Sequence, residues 1–423
     1  MVKFLQKTDP RVAKLIDAET KRQEMTLDLI PSENIVSKAV LEALGSPLTN
    51  KYSEGYPQKR YYAGNAVIDD VELLAQERAR RVFGLGGEWH VNVQALSGSP
   101  ANLAVYFALL QPEDKLMGMN LSSGGHLTHG EKVTASGTFF NSIQYDVGRN
   151  GFLDYEAIKR MALKEKPKLI IAGFTAYPRI VDFEKFGEIA NEVNAYFMVD
   201  MAHIAGLVAA GAHPSPFPYA DVVTTTTHKS LRGPRGALIF SRTDKEIIKN
   251  GKPRSLGRAI DSAVFPGLQG GPHDNQTAAI AVCLGEAMKP AFKSYGKQIV
   301  KNAKALAAEL QKLGFELVSG GTDNHLMLID LANTGVSGRE AQDRLERAGI
   351  IVNRNTIPFD PRSPFDPSGI RLGTPAVTTR GMKEREMRIV ARLIHQALTD
   401  KGLGDITKEV RVLCKRFPIR RPA

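Results

Sequence analysis

The sequence predicts an α/β chain: a large region with a mostly parallel sheet covered by helices, followed by a smaller α+β region. Two patterns carry this expectation. From Trp89 onward, short apolar runs such as "KLIIAGF", "YFMVD" and "DVVTTTT" alternate with helix-period segments such as "YEAIKRMALKEK" and "FEKFGEIANEVN". Continuous apolar strands separated by helices are what a parallel sheet buried on both faces requires. Beyond Gly271 the alternation gives way to long helical patterns and then to short mixed pieces. The composition agrees: 423 residues, 43% hydrophobic and 24% charged, is ordinary globular usage with enough length for a large core.

In chain order, Asp9 to Arg22 has helical spacing, and Pro31 in "LDLIPSEN" breaks it. "IVSKAVLEALGS" reads as a short helix closed by Gly45. "NKYSEGYPQKRYYAGN" is too rich in turn residues for a helix, and "VIDDVELLAQERARRVFG" is amphipathic, with Gly84 beyond its end. "HVNVQAL", "KLMGMN", "KLIIAGF", "YFMVD", "DVVTTTT" and "ALIFS" are the predicted strands. "QTAAIAVCLGEAM" and "QIVKNAKALAAELQKLG" are helical, and the chain closes on "MKEREMRIVARLIHQAL". "FELVSGG", "HLMLIDL" and "GIRLGTP" supply the smaller region's strands. The expected division is an N-terminal helical arm (1–24), a large α/β domain (25–280) and a small α+β domain (281–423).

Two cysteines, Cys283 and Cys414, argue against a disulfide scaffold. The opening lacks an apolar leader core, and no run approaches the roughly 20 apolar residues that span a membrane. A cytoplasmic protein without a membrane partner is expected. The net charge of +11 suits an anionic ligand. No nucleic-acid motif accompanies the basic tail, so nucleic acid is not expected as the main partner.

In open α/β sheets, ligands bind beyond the carboxyl ends of the strands. After "HVNVQAL" comes "SGSPAN". Ser99 suits an N-cap and Pro100 the first helical position, and with Ser97 and Gly98 they could cradle a phosphate at a helix start. Simple capping explains the same residues. "LSSGGHLTHG" follows "KLMGMN"; His126 and His129 lie three apart, but no HExxH or cysteine partner accompanies them, and no metal is expected. Asp200 ends a buried strand and needs a partner, either a capped helix or a cationic ligand atom. Lys229 follows "DVVTTTT" and His228, where burial can turn an amine into a nucleophile. Phosphate cradle, acid and lysine at successive strand ends match the needs of pyridoxal 5'-phosphate.

"TTTTHKSLRGPRG", "VDMAHIAGLVAAG", "LIPSEN", "NKYSEGYPQKRYYAG", "GGHLTHG" and "GIRLGTPA" occur in order from about Leu29 to Gly373. Together they resemble the serine hydroxymethyltransferase family, pyridoxal-phosphate enzymes of fold type I in one-carbon metabolism. The resemblance implies that Lys229 forms the Schiff base, Asp200 pairs with the pyridine nitrogen, and His126 stacks on the ring. It puts His203 near the phenolic oxygen, Thr175 near the cofactor, His228 and Thr226 beside the lysine, and Ser97, Gly98 and Ser99 on the phosphate. Gly270 and Gly271 resemble a phosphate loop given by a neighbouring subunit.

For substrate, the resemblance implies Arg371 and Ser32 on the carboxylate of serine or glycine, with Arg235 nearby. Tyr52, Glu54 and Tyr61 would reach into a partner's site, Tyr52 touching the phosphate and Glu54 handling a proton. This implies a homodimer or a dimer of dimers. Leu121, Gly125, Leu127 and Asn355 would contact tetrahydrofolate, the second substrate. Thr175, Pro178 and Ala63 depart from common family residues; the methyl of Ala63 would shift its loop if φ were positive. Two alternatives stand beside this reading: a folate-independent aldolase for threonine-like amino acids, and an RNA-interacting relative using the basic tail.

Overall fold

The computed structural model describes residues 3–249, 251–399 and 403–419. Its centre is a seven-stranded sheet made of β1 (Trp89–Asn92), β2 (Lys115–Met119), β3 (Asn141–Tyr145), β4 (Leu169–Gly173), β5 (Tyr196–Asp200), β6 (Val222–Thr226) and β7 (Ala237–Arg242). The order is β1-β7-β6-β5-β4-β2-β3, parallel except for β7, which runs antiparallel to both neighbours. Alternate residues serve opposite faces. Ile170, Ala172, Phe197, Val199 and Val223 enter one apolar cluster, while Leu169, Ile171, Met198 and Val222 enter another. The period of two leaves no polar face on these strands, and helices cover both sides.

Register sets the site. Gly173 pairs with Asp200, and Asp200 with Thr224, so the aspartate sits in mid-sheet at the carboxyl edge. The threonine run continues from β6 to Thr227, whose hydroxyl donates to the Pro234 carbonyl at 2.7 Å while the Gly233 N–H donates to the Thr227 carbonyl at 2.7 Å. This turn holds His228 and Lys229 at the strand mouth.

A second sheet follows: β8 (Glu316–Leu317), β9 (Leu326–Asp330), β10 (Asn353–Asn355) and β11 (Gly369–Gly373), antiparallel in the order β8-β9-β11-β10. The helices Pro290–Lys312, Glu384–Leu398 and Leu403–Arg416 bury apolar residues in its core. The N-terminal segment joins this core: Leu27 and Leu29 are fully buried there, and Leu27–Asp28 pairs in parallel with Ile350–Ile351. The arm helix Pro10–Met25 starts at Asp9, whose carboxylate accepts from Arg11 and Val12 N–H groups. Its far end meets the Arg380 guanidinium, which donates to the carbonyls of Gln23, Glu24, Thr26, Cys414 and Phe417.

Several expectations are corrected. The helix after β1 spans Gly98–Leu109, so Ser97, not Ser99, is the N-cap, and Pro100 sits in the first turn rather than at its first position. Proline's missing N–H costs nothing anywhere in that turn, so the sequence fits both registers. Ala63 is not among the positive-φ residues; Gly64, at φ 76°, takes the turn. The strand expected across "FELVSGG" is only two residues, followed by a 3₁₀ turn at Val318–Gly320. The described part of the basic tail belongs, up to Arg416, to the helix Leu403–Arg416, and residues 420–423 lie outside the described residues.

Candidate active site

One cavity of about 470 Å³ lies over the carboxyl edge of the sheet. It brings together Ser32, Ser97, Gly98, Ser99, Leu121, Gly125, His126, Leu127, Thr175, His203, Thr226, His228, Lys229, Arg235, Asn355 and Arg371. Asp200 lines a small pocket beneath it, shared with His126, Thr175, His203, Thr226 and Lys229. The helix Gly98–Leu109 points its amino end into the cavity because Gly98 lacks a side chain: a Cβ there would come within 2.8 Å of Thr226 Cγ2. Ser97 makes no capping bond with its hydroxyl.

Lys229 is buried, and burial lowers its pKa to about 8. Asp200 opposes this shift, while Arg371 and Arg235 reinforce it. At pH 7 roughly a tenth of such an amine is neutral, against fewer than one in a thousand at the ordinary lysine value. The backbone around the lysine is held. Asn34 Nδ2 donates to the Lys229 carbonyl at 3.0 Å, and Thr379 donates to Asn34 Oδ1 at 2.7 Å. Burial alone would raise the Asp200 pKa. His129 Nε2 at 3.2 Å and Asn102 Nδ2 at 2.8 Å, both on Oδ2, reverse that and hold it below the usual carboxylate range. The Ala202 N–H serves Oδ1 at 3.0 Å.

Burial keeps His126, His203 and His228 neutral. His126 is lowered to about 4 and His228 to about 3, and His203 falls well below its ordinary value. His203 Nδ1 lies 3.3 Å from Nε2 of the equally buried His325. His228 Nδ1 and Thr226 Oγ1 are buried without a partner. Arg371, on β11, crosses to the large sheet: Nη1 donates to the Thr175 carbonyl at 2.6 Å and Nε to Asn353 Oδ1 at 3.1 Å. Burial lowers its pKa to about 10, and it stays charged near neutrality. Thr175 Oγ1 donates to the Gly125 carbonyl at 2.7 Å.

Five expected site residues are not brought to the cavity. Tyr52, Glu54, Tyr61, Gly270 and Gly271 line neither pocket. Four of them gather elsewhere: a Cβ on Gly270 would lie 3.2 Å from Glu54 Oε1, and one on Gly271 3.3 Å from the Tyr52 ring. Tyr61 is 82% exposed.

The family profile described as serine hydroxymethyltransferase matches residues 5–394. The chain belongs to the serine hydroxymethyltransferase family. It is 56% identical over 418 residues to a serine hydroxymethyltransferase of Desulfotalea psychrophila, covering 98% of this chain and 95% of that protein. It is equally 56% identical over 422 residues to one of Acidothermus cellulolyticus, covering 97% and 96%.

Several residues around the cavity escaped sequence reasoning. Asn102 sits in the quoted "SGSPAN" but reads as a helix residue; its buried position (1% exposed) facing an acid was the missing information. His129 shows only as a metal-like spacing. His126, His129 and Asp200 do cluster within 4.8 Å, yet His129 Nε2 is engaged by Asp200 and His126 Nδ1 by Thr128. Glu33, His325 and Asn353 gave no signal beyond their residue types.

Proposed function

We propose that this chain transfers the hydroxymethyl carbon of serine reversibly to tetrahydrofolate, giving glycine and 5,10-methylenetetrahydrofolate, with the roles below carried by its own residues. The observation that supports this best is the joint placement of a buried lysine of lowered pKa, a charged mid-sheet aspartate and a buried arginine around one cavity. The cavity also fits pyridoxal phosphate through an open helix amino end at Gly98, an uncommitted Ser97 hydroxyl and the unpartnered Thr226 Oγ1 and His228 Nδ1.

Ser97, Gly98 and Ser99 hold the phosphate with the N–H groups of the helix start. Asp200 keeps a proton on the pyridine nitrogen, because its own charge is secured by His129 and Asn102. His126, Thr175 and His203 would hold the cofactor's ring, and His228 and Thr226 flank Lys229. Pyridoxal phosphate, when bound, supplies an electron sink for bond changes at the substrate Cα. Lys229 would hold the cofactor through its amine, a role its partly neutral state suits. Arg371 and Ser32 orient the substrate carboxylate, with Arg235 close by. Leu121, Gly125, Leu127 and Asn355 line the folate face.

A second copy completes the site in this reading. Glu54, a proton-handling carboxylate, lies with Tyr52, Tyr61, Gly270 and Gly271 outside this chain's cavity and serves the partner's, which requires a homodimer or a dimer of dimers. In this reading residues 25–280 carry the cofactor site and 281–423 deliver Arg371 and Asn355, with 1–24 as an arm, although Leu27 and Leu29 pack in the second core and Cys283, Leu284 and Ala287 in the first. Among the described residues no helix is long and apolar enough to cross a membrane; we place the protein in the cytoplasm. The test is visible absorbance of the purified protein with glycine, then with glycine and tetrahydrofolate. A long-wavelength band that grows on folate addition is expected. Serine cleavage that proceeds equally fast without folate refutes the reading in favour of a folate-independent aldolase.

A further inference from the structure

The polar groups behind His126 form a chain whose donors and acceptors can be assigned one by one. Asn102, Thr128 and Thr224 are buried, at 1%, 6% and 1% exposure. Asn102 Nδ2 lies 2.8 Å from Asp200 Oδ2 and 2.9 Å from Thr128 Oγ1, and its Oδ1 lies 2.7 Å from Thr224 Oγ1. Reversing the amide would press its oxygen against a charged carboxylate, so the nitrogen must face Asp200. Both Nδ2 protons are then used, one on Asp200 and one on Thr128, and the Thr224 hydroxyl donates to Oδ1.

Thr128 Oγ1 is thus an acceptor toward Asn102, and its own proton is free for His126 Nδ1 at 2.7 Å. The Thr128 backbone N–H also points at His126 Nδ1, at 3.2 Å. Two donors converge on one ring nitrogen, which therefore carries no proton. The Thr128 loop is itself anchored by the Tyr106 hydroxyl, which donates to the Thr128 carbonyl at 2.9 Å.

We propose that Asn102 and Thr128 are positioning residues that fix His126 as a neutral imidazole with Nδ1 as acceptor and its proton on Nε2, and that tie this state to the charge of Asp200. The inference rests on the reading of His126 and Asp200 as cofactor contacts. It adds that the group on the pyridine nitrogen and the group against the ring face are one hydrogen-bonded unit. Burial keeps His126 neutral, and the charged or titratable groups acting on it are His129, Asp200, Lys229 and Arg371. Without the chain, the ring could take either tautomer and turn about its Cβ–Cγ bond.

The experiment uses ¹⁵N-histidine-labelled holoenzyme, with His126 assigned by its loss in His126→Gln, since ring ¹⁵N shifts report which nitrogen is protonated. The expected result in the unmodified protein is a bare Nδ1 and a protonated Nε2 throughout pH 6–8. Thr128→Val keeps the shape and removes the hydroxyl. It should give a tautomer mixture and about tenfold lower kcat, the size of one lost buried hydrogen bond, with KM for serine within about twofold. Thr128→Ser should restore both. A proton on Nδ1 in the unmodified protein overturns the inference without needing any variant, as does a Thr128→Val protein whose tautomer and kcat are unchanged. Removal of the cofactor separates the two levels of argument: a His126 signal that does not move refutes the place of His126 against the ring, whatever its tautomer.

Discussion

Gly98→Ala is the smallest change that should loosen the cofactor. The added methyl would stand 2.8 Å from Thr226 Cγ2, against an ordinary carbon–carbon contact of roughly 3.5–4.0 Å. The deficit of about an ångström must be taken up by Thr226 or by the helix start. Thr226 lies at the end of β6, paired with Ala237 on β7, and its Oγ1 is buried without a partner. The helix start, a single unpaired turn, yields more easily and would carry with it the N–H groups proposed to hold the phosphate. Overpacking of this kind costs about 1–3 kcal/mol, and if the cradle bears it, pyridoxal phosphate binds about 5- to 150-fold more weakly. The assay is the cofactor dissociation constant by absorbance titration of apoprotein. Thr226→Ser removes only Cγ2 and keeps the hydroxyl, so Gly98→Ala with Thr226→Ser should regain most of the lost affinity. Unchanged affinity in the single variant, or no recovery in the double, refutes the reasoning.

Three more outcomes are expected. Arg371→Lys keeps the charge but cannot serve Thr175, Asn353 and a carboxylate together; kcat/KM for serine should fall about 10- to 100-fold in steady-state kinetics. Capture of pyridoxal phosphate by apoprotein should speed up about tenfold per pH unit until about pH 8 and then level off, as seen by stopped-flow absorbance. Because the lysine's pKa is depressed on folding, the chain's stability rises with pH from about 8 towards the ordinary value of 10.5 through this group, and a capture rate still climbing at pH 10 contradicts the assignment. Arg380→Ala leaves five backbone carbonyls at two helix ends without their shared donor; a stability loss of about 3 kcal/mol is expected by denaturant titration, with serine turnover retained at low temperature.

What the sequence made legible was whatever local pattern encodes. Val222 to Thr226 reads as a strand from residue type alone, and a lysine after it is then at a sheet edge. Asn141–Tyr145 was not read, because an edge strand with an exposed Asn141 and half-buried neighbours has no apolar run. The helix Leu403–Arg416 hid behind its charges, although Ile406, Val410, Leu413 and Cys414 face inward at helical spacing. The motif-bearing residues Lys229, His126 and Arg371 meet at one cavity, whereas Asn102, Asn353 and His325 make contacts between residues 18 to 122 positions apart. Such partners have no local signature; only the folded register puts them side by side.

The parallel pairing of Leu27–Asp28 with Ile350–Ile351 has a consequence for how the chain is born. The segment that ends in Asn34 and grips the Lys229 carbonyl leaves the ribosome long before its pairing strand and Thr379 do. At about 5–20 residues per second, roughly 15–65 s separate the two ends of that pairing. During that interval the sheet can form around an unfinished lysine mouth. The mouth of the Lys229 cavity is therefore completed only after Thr379 has emerged, and until then the segment up to Asn34 waits without its pairing strand.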